Sequence, residues 1–272
     1  MACKGRHTPL WLKIQKEEIQ MRNLKRALSL ALAAIMLIGM MVVSASAVSY
    51  NDLTDKDQIV NKDAVSMLVS LGIIEGKPDG SYGPTENVDR AQMAKMLSVI
   101  MNKGVDNSAL YQSVNSGLTD ITSNWAKGHI NYCYTTGIIA GRGNGTFDPS
   151  ATVTALEAAK MLLVAVGYDP KIEGFEGADW AINVSVRADE QGIFEGFTKD
   201  LSAPLNRDDA ALLIYNALDV EMIQSYTTNN YPIVYSDHRT ILSDKYGVIK
   251  VEGVVTANEW AILDDDTDTA LQ

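Results

Sequence analysis

The chain has 272 residues, with 23 Lys/Arg against 34 Asp/Glu, a formal net charge of −11, and two cysteines. So acidic a balance repels nucleic acid and anionic membrane surfaces. Two cysteines exclude a disulfide-dense scaffold, and the length suffices for one or two domains with a proper core.

Residues 1–20 are mixed in character and precede a second methionine, so they read as an upstream extension. From Met21 the chain runs "MRNLKRALSLALAAIMLIGMMVVSASA". Arg22, Lys25 and Arg26 make a basic start, Ala27 to Val43 is almost wholly apolar, and Ala45-Ser46-Ala47 has the small-x-small pattern of a signal peptidase site. Residues 21–47 are therefore expected to be a secretory signal. The apolar run is shorter than the ~20 residues of a spanning helix, so no stable membrane insertion is expected after cleavage. Taking away the leader's seven basic and two acidic residues leaves 16 basic and 32 acidic residues, a net charge of −16. An anionic ligand would need a local basic site. Cys133 is then the one remaining cysteine, on an apolar helix face, and is expected to be a buried, inert thiol.

The next 170 or so residues repeat. Gly72, Gly137 and Gly192 open "GIIEG", "GIIAG" and "GIFEG". Twelve residues before them stand Val60, Trp125 and Trp180, and twelve after them Pro84, Pro149 and Pro204. A polar tetrad follows each proline: "DRAQ" at 89–92, "TALE" at 154–157 and "NRDD" at 206–209. Each copy reads as helix, turn, helix. Each "GI" glycine is a natural stop for the first helix. Asp89, Thr154 and Asn206 are N-caps of the second helix, with Gln92, Glu157 and Asp209 at N3, where aspartate is too short to reciprocate well. Apolar residues then recur at helical spacing, as in Ala94, Leu97 and Met101, or Ala159, Leu162 and Val166, or Ala211, Ile214 and Leu218. One helix pair buries too little to stand alone, so the three are expected to pack together.

These copies resemble S-layer homology domains, which carry Trp-Ala, then G-I-[IV]-x-G, then [DN]-G-x-F-x-P, then T-R-A-E. The likeness covers residues 48 to 220 and is strongest in the second copy. The first copy lacks the tryptophan. The third has "FTKDLSAP" in place of the D/N-G-x-F loop. The resemblance implies a mainly α fold, three helix-loop-helix modules in a pseudo-threefold bundle, over 48–112, 113–174 and 175–220. It implies non-covalent anchoring of a secreted surface protein to the bacterial cell wall, by grooves that bind pyruvylated wall polysaccharide, with self-assembly in a surface layer as a further prospect.

Arg90 and Arg207 occupy N1 of their helices, where the macrodipole disfavours a cation. Free backbone N–H groups are expected at the same helix ends, so arginine and helix terminus together would take a carboxylate. The competing reading is a solvated or ion-paired arginine. Ligand-binding candidates are Arg90, Arg207, Gly76, Gly141, Trp125 and Trp180. Tryptophan could stack on sugar, although an aromatic at a fixed repeat position more often packs in the core, as is also expected for Tyr82 and Phe147. The second copy has Ala155 in the arginine position. Ala155→Arg is expected to leave binding unchanged or stronger and, like removal of an exposed N1 arginine, to leave stability alone.

No catalytic, metal or cofactor signature emerges. The histidines (His7, His129, His238) are scattered, "GRGNG" at 141–145 lacks the G-K-[ST] of a phosphate loop, and "LDDDTDT" at 263–269 lacks the glycine and glutamate of a calcium loop. After residue 220 the text turns β-branched, and 221–272 are expected to begin a β-rich region, with "VIKVEGVVTANEWAIL" as a hairpin-like pair and the chain reading as truncated from a larger protein. Binding without catalysis is favoured. The alternative is the anchor portion of an envelope enzyme, such as a polysaccharide hydrolase, whose catalytic domain is missing.

Overall fold

The computed structural model describes residues 49–250. The expectations for the leader, for 263–269 and for most of the hairpin-like pair lie outside the described residues. Helices α1 (Lys62–Ser70) and α2 (Arg90–Met101) come from the first repeat. Helices α3 (Lys127–Thr135) and α4 (Ala155–Val166) come from the second, and α5 (Trp180–Glu190) and α6 (Arg207–Ala217) from the third. The fold is mainly α, as the repeats imply.

Local signals placed these helices well. Gly72, Gly137 and Gly192 follow the C-caps of α1, α3 and α5 with φ of 70°, 80° and 70°, a conformation that glycine adopts without steric cost. Asp89 and Thr154 form reciprocal capping boxes with Gln92 and Glu157. Asn206 accepts from the Asp209 amide, but Asp209 returns no bond, as its length predicts. Ala94, Leu97, Ala159, Leu162, Val166, Ala211, Ile214 and Leu218 are all in the core, and Met101 packs against it.

The helices of one repeat are not each other's chief partners. The first helix of each repeat packs on the second helix of the repeat before it: α3 on α2, α5 on α4, and α1 on α6, which closes the circle. At the hub, the residues just before the three tetrads bond in a ring. Val88 N donates to Leu205 O (2.8 Å), Leu205 N to Val153 O (2.8 Å), and Val153 N to Val88 O (2.9 Å). Every donor in the ring is satisfied by another repeat, so the hub requires all three. Asp208 fastens the closing contact by accepting from the backbone and side-chain amides of Asn61, at the start of α1.

Beyond α6, strands β1 (Ile223–Tyr226) and β2 (Pro232–Val234) form a small antiparallel hairpin. The β expectation fails for the following "TILSDKYG". Residues Ile241–Tyr246 are helix α7, with Thr240 and Ser243 forming a capping box and Gly247 ending it in the left-handed region. Ile241 and Leu242 are buried against the helical core, and that burial overrides their β propensity. Cys133 is buried as expected, its Sγ 3.4 Å from Ala94 O, and burial pushes its thiol pKa up. No helix among the described residues is long and apolar enough to cross a membrane.

Candidate functional site

The tetrad arginines do not project into solvent. Arg90 is only 4% exposed. Its Nε donates to Phe147 O and its Nη2 to Ala140 O, both at 2.9 Å, and the guanidinium lies 4.4 Å from the Phe147 ring centroid. Arg207 repeats this one step round the circle. Its Nε donates to Tyr82 O (2.8 Å) and its guanidinium lies 4.9 Å from the Tyr82 ring centroid. Each arginine thus pins the glycine-aromatic loop of the next repeat. The rings and carbonyls supply the negative potential that a cation at N1 otherwise lacks. Burial, and then neighbouring Arg142, lower the Arg90 pKa to about 10, so it stays cationic at neutral pH.

The expected free amides are also taken. The N1 and N2 amides of α2 donate to Ala151 O and Pro149 O, and those of α6 to Glu86 O and Pro84 O. The N3 amides go to the caps. The helix N-termini are therefore not anion sites, because the preceding proline loop of another repeat already caps them. The loops are clamped from the other side by carboxylates. Asp55 accepts from Tyr82 N and Gly83 N, and Asp120 from Phe147 N and Asp148 N.

Two clefts result, and they unite the six candidates three by three. The wide groove, about 550 Å³, is lined by Arg90, Gly141 and Trp180 together with Arg142, Lys160 and Glu157. The narrow groove, about 200 Å³, is lined by Arg207, Gly76 and Trp125 together with Lys77, Lys95 and Gln92. The second set matches the first position for position. In each, the tryptophan comes from the following repeat and the arginine from the preceding one. Gly141 is required sterically, since a Cβ there would lie 2.8 Å from Thr146 O.

Trp125 is 58% exposed, so the expectation of a core anchor fails for it, and Trp180 is half-buried. Tyr82 and Phe147 are core residues, as expected. The grooves differ in how their cations are engaged. In the narrow groove Lys95 pairs with Glu75 (2.9 Å) and Lys77 with Glu86. In the wide groove Arg142 pairs with Glu157 (3.1 Å). Half-buried Lys160 makes no ion pair within 4 Å among the described residues, and its ammonium lies 5.6 Å from the Trp180 ring centroid. Burial lowers its pKa, partly opposed by Glu176.

The lysines escaped the sequence reading. A signal existed: Lys95 and Lys160 each stand five residues after the N1 position, where the third repeat has Leu212. The third equivalent place keeps its glycine, Gly196, but loses most of the other groove residues. It has Ala155 for the arginine, Val60 for the tryptophan, Phe197 for Arg142 or Lys77, and Ser202 and Phe175 for the loop aromatic and its clamping aspartate. The missing arginine and the missing aromatic are one loss, since each is the other's partner. Among the described residues no group of side chains could hold a metal ion.

Residues 49–94 and 117–159 match the family model of the S-layer homology domain, while the third repeat falls outside both segments. The chain is 29% identical over 206 residues to a "Cell surface protein" of Thermoanaerobacter kivui, covering 75% of this chain and 26% of that protein. It is 34% identical over 113 residues to an "S-layer protein" of Bacillus licheniformis (42% of this chain, 12% of the relative). It is 30% identical over 186 residues to an "Amylopullulanase" of Thermoanaerobacterium thermosulfurigenes (63% of this chain, 10% of the relative). The chain thus spans about a quarter or less of the length of these relatives.

Proposed function

This is an S-layer homology domain protein, and we propose that its described region, modules over 48–112, 113–174 and 175–220, anchors a secreted surface protein to the bacterial cell wall by binding an acidic wall polysaccharide. The observation that carries this reading is the wide groove. A chain with a net charge of −16 beyond its leader gathers Arg90, Arg142 and Lys160 at one cleft beside the half-buried Trp180. A ketal-linked pyruvate would present its carboxylate to Lys160, which makes no ion pair within 4 Å among the described residues, while the indole packs against the sugar face. The narrow groove is a weaker second site, because a ligand there must compete with Glu75 and Glu86 for the lysines. The stripped third place takes no glycan. The amylopullulanase relative supports a second reading, in which the same anchor serves an envelope enzyme.

The test is calorimetric titration of purified wall glycan, intact and after chemical removal of pyruvate. A charge-assisted hydrogen bond is worth ~1.5–3 kcal/mol, so Lys160→Met is expected to weaken binding by about ten- to a hundredfold and Lys95→Met by much less. Equal affinity for intact and depyruvylated glycan would overturn the carboxylate mechanism. Equal effects of the two lysine variants would overturn the ranking of the grooves.

A further inference from the structure

We propose that Asn144, on the rim of the wide groove, is a self-modifying site that deamidates through the neighbouring Gly145 amide, with Thr146 promoting the step. Asn144-Gly145 is the one Asn-Gly pair in the chain. Both residues are exposed, in the loop whose Gly141, Arg142 and Gly143 line that groove. The Gly145 amide is open to an approaching side chain. A Cβ on Gly145 would meet nothing within 4 Å, and Gly145 N makes no hydrogen bond among the described residues. Asn144 Oδ1, by contrast, accepts from Thr146 Oγ (2.6 Å) and from Thr146 N (3.2 Å).

These three residues and water suffice for the chemistry. Gly145 N gives its proton to hydroxide and attacks Asn144 Cγ. The new bond closes a cyclic imide, the Cγ–Nδ2 bond breaks, and the leaving nitrogen takes a proton from water and departs as ammonia. Water then opens the imide at either carbonyl, leaving aspartate or isoaspartate. Negative charge collects on Oδ1 during the attack, where the two Thr146 donors already point, as in an oxyanion hole. The first repeat offers the comparison. Its equivalent loop has Asp79, Gly80 and Ser81, and Asp79 Oδ1 accepts from Ser81 N (2.9 Å) and Ser81 Oγ (2.7 Å), so aspartate fits this place. There Gly80 N is engaged, donating to Lys77 O (2.9 Å). The Ser81 amide, and then its hydroxyl, hold the Asp79 carboxyl below the usual carboxylate range, ionised and resistant to attack. Isoaspartate lengthens the backbone by one methylene, inside a loop closed by the bond from Arg142 N to Thr146 O (2.8 Å). The wall of the wide groove is thus open to ageing that the narrow groove escapes. The proposal stands on the loop itself and holds whether or not either groove takes glycan.

The experiment is incubation of the folded full chain in mildly alkaline buffer, well below its melting temperature, with peptide mapping by mass spectrometry over time. Asn144 is expected to convert at least about tenfold faster than Asn107 and Asn115, which precede serine, and to yield both aspartate and isoaspartate. Thr146→Val keeps the branched shape but loses one donor, and is expected to slow the step about three- to tenfold, the size of one hydrogen bond. Thr146→Ser, which restores the hydroxyl that Ser81 supplies in the first repeat, should keep the parent rate. In strong denaturant the loop geometry is lost, so parent and Thr146→Val are expected to react alike. Conversion of Asn144 no faster than that of Asn107 and Asn115 would overturn the site, and a product without isoaspartate would overturn the cyclic intermediate. Equal rates for folded parent and Thr146→Val, a slow Thr146→Ser, or the same slowing of Thr146→Val in denaturant would overturn the part given to Thr146.

Discussion

Arg90→Ala tests whether the tetrad arginine is a structural pin. The side chain is buried, and its bond to the buried Phe147 carbonyl is the costly one to lose, since no water replaces it. A hydrogen bond from a charged donor is worth ~1.5–3 kcal/mol, and the contact with the Phe147 ring adds ~0.5–2 kcal/mol. The bond to Ala140 O adds little, because Ala140 is exposed and water can take its carbonyl. Relief of the cation from the positive end of α2 returns ~0.3–1 kcal/mol. The net expectation is a loss of about 2–3 kcal/mol, or roughly 5–10 °C in Tm for a domain of this size. Arg207→Ala, half-buried and with one such bond to Tyr82 O, should cost about half as much by the same reasoning. Arg90→Lys should fall between parent and Arg90→Ala, since a lysine keeps the charge but cannot reproduce the fork. The assay is a thermal melt of the three variants at one pH and salt concentration. If Arg90→Ala melts within about 1 °C of the parent, the pin is wrong, and the arginine belongs to the ligand alone.

Two further outcomes follow from burial. Ala155 is fully buried, and Ser202 stands where Tyr82 and Phe147 receive the other arginines, so Ala155→Arg is expected to destabilise by at least about 2 kcal/mol without gaining glycan affinity; melts and titration together check it. His129, bonded through Nδ1 to Ser98 Oγ at 2.6 Å, has its pKa held below the usual imidazole value, chiefly by burial, which outweighs the attraction of Asp106 at 3.6 Å and of Glu75 and adds to the repulsion from Lys95. The unfolded chain therefore takes up the His129 proton first as the pH falls, so stability is full above the ordinary imidazole pKa of about 6.5 and declines below it until the folded value is passed. Melting curves between pH 7.5 and 5 should show a steeper fall for the parent than for His129→Gln, and parallel falls would refute this assignment.

Much of the architecture was legible because its signals are local. The glycines after α1, α3 and α5, the capping residues Asp89, Thr154 and Asn206, and the spacing of core positions such as Leu97 and Leu162 each act within a few residues of where they are written. That Arg90, Gly141 and Trp180 line one cleft and Arg207, Gly76 and Trp125 another is not a local signal, since each set comes from three different repeats. Helix α7 was missed because Ile241 and Leu242 respond to a distant core rather than to their own propensity.

The sequence by itself determined the repeat, its helices and the residue types that line the two grooves. Only the tertiary structure decided which residues meet. A helix N1 position looks exposed in isolation, since its amides lack partners within the helix. In the fold, the loop of another repeat supplies those partners and buries Arg90, while Lys95, five residues further along the same helix, lines the other, narrow groove. Ala155 shows the same dependence. Its meaning lies not in its own repeat but in the stripped loop of the third, because the circle of helices joins each repeat to its neighbours by contacts that carry no mark in the local sequence.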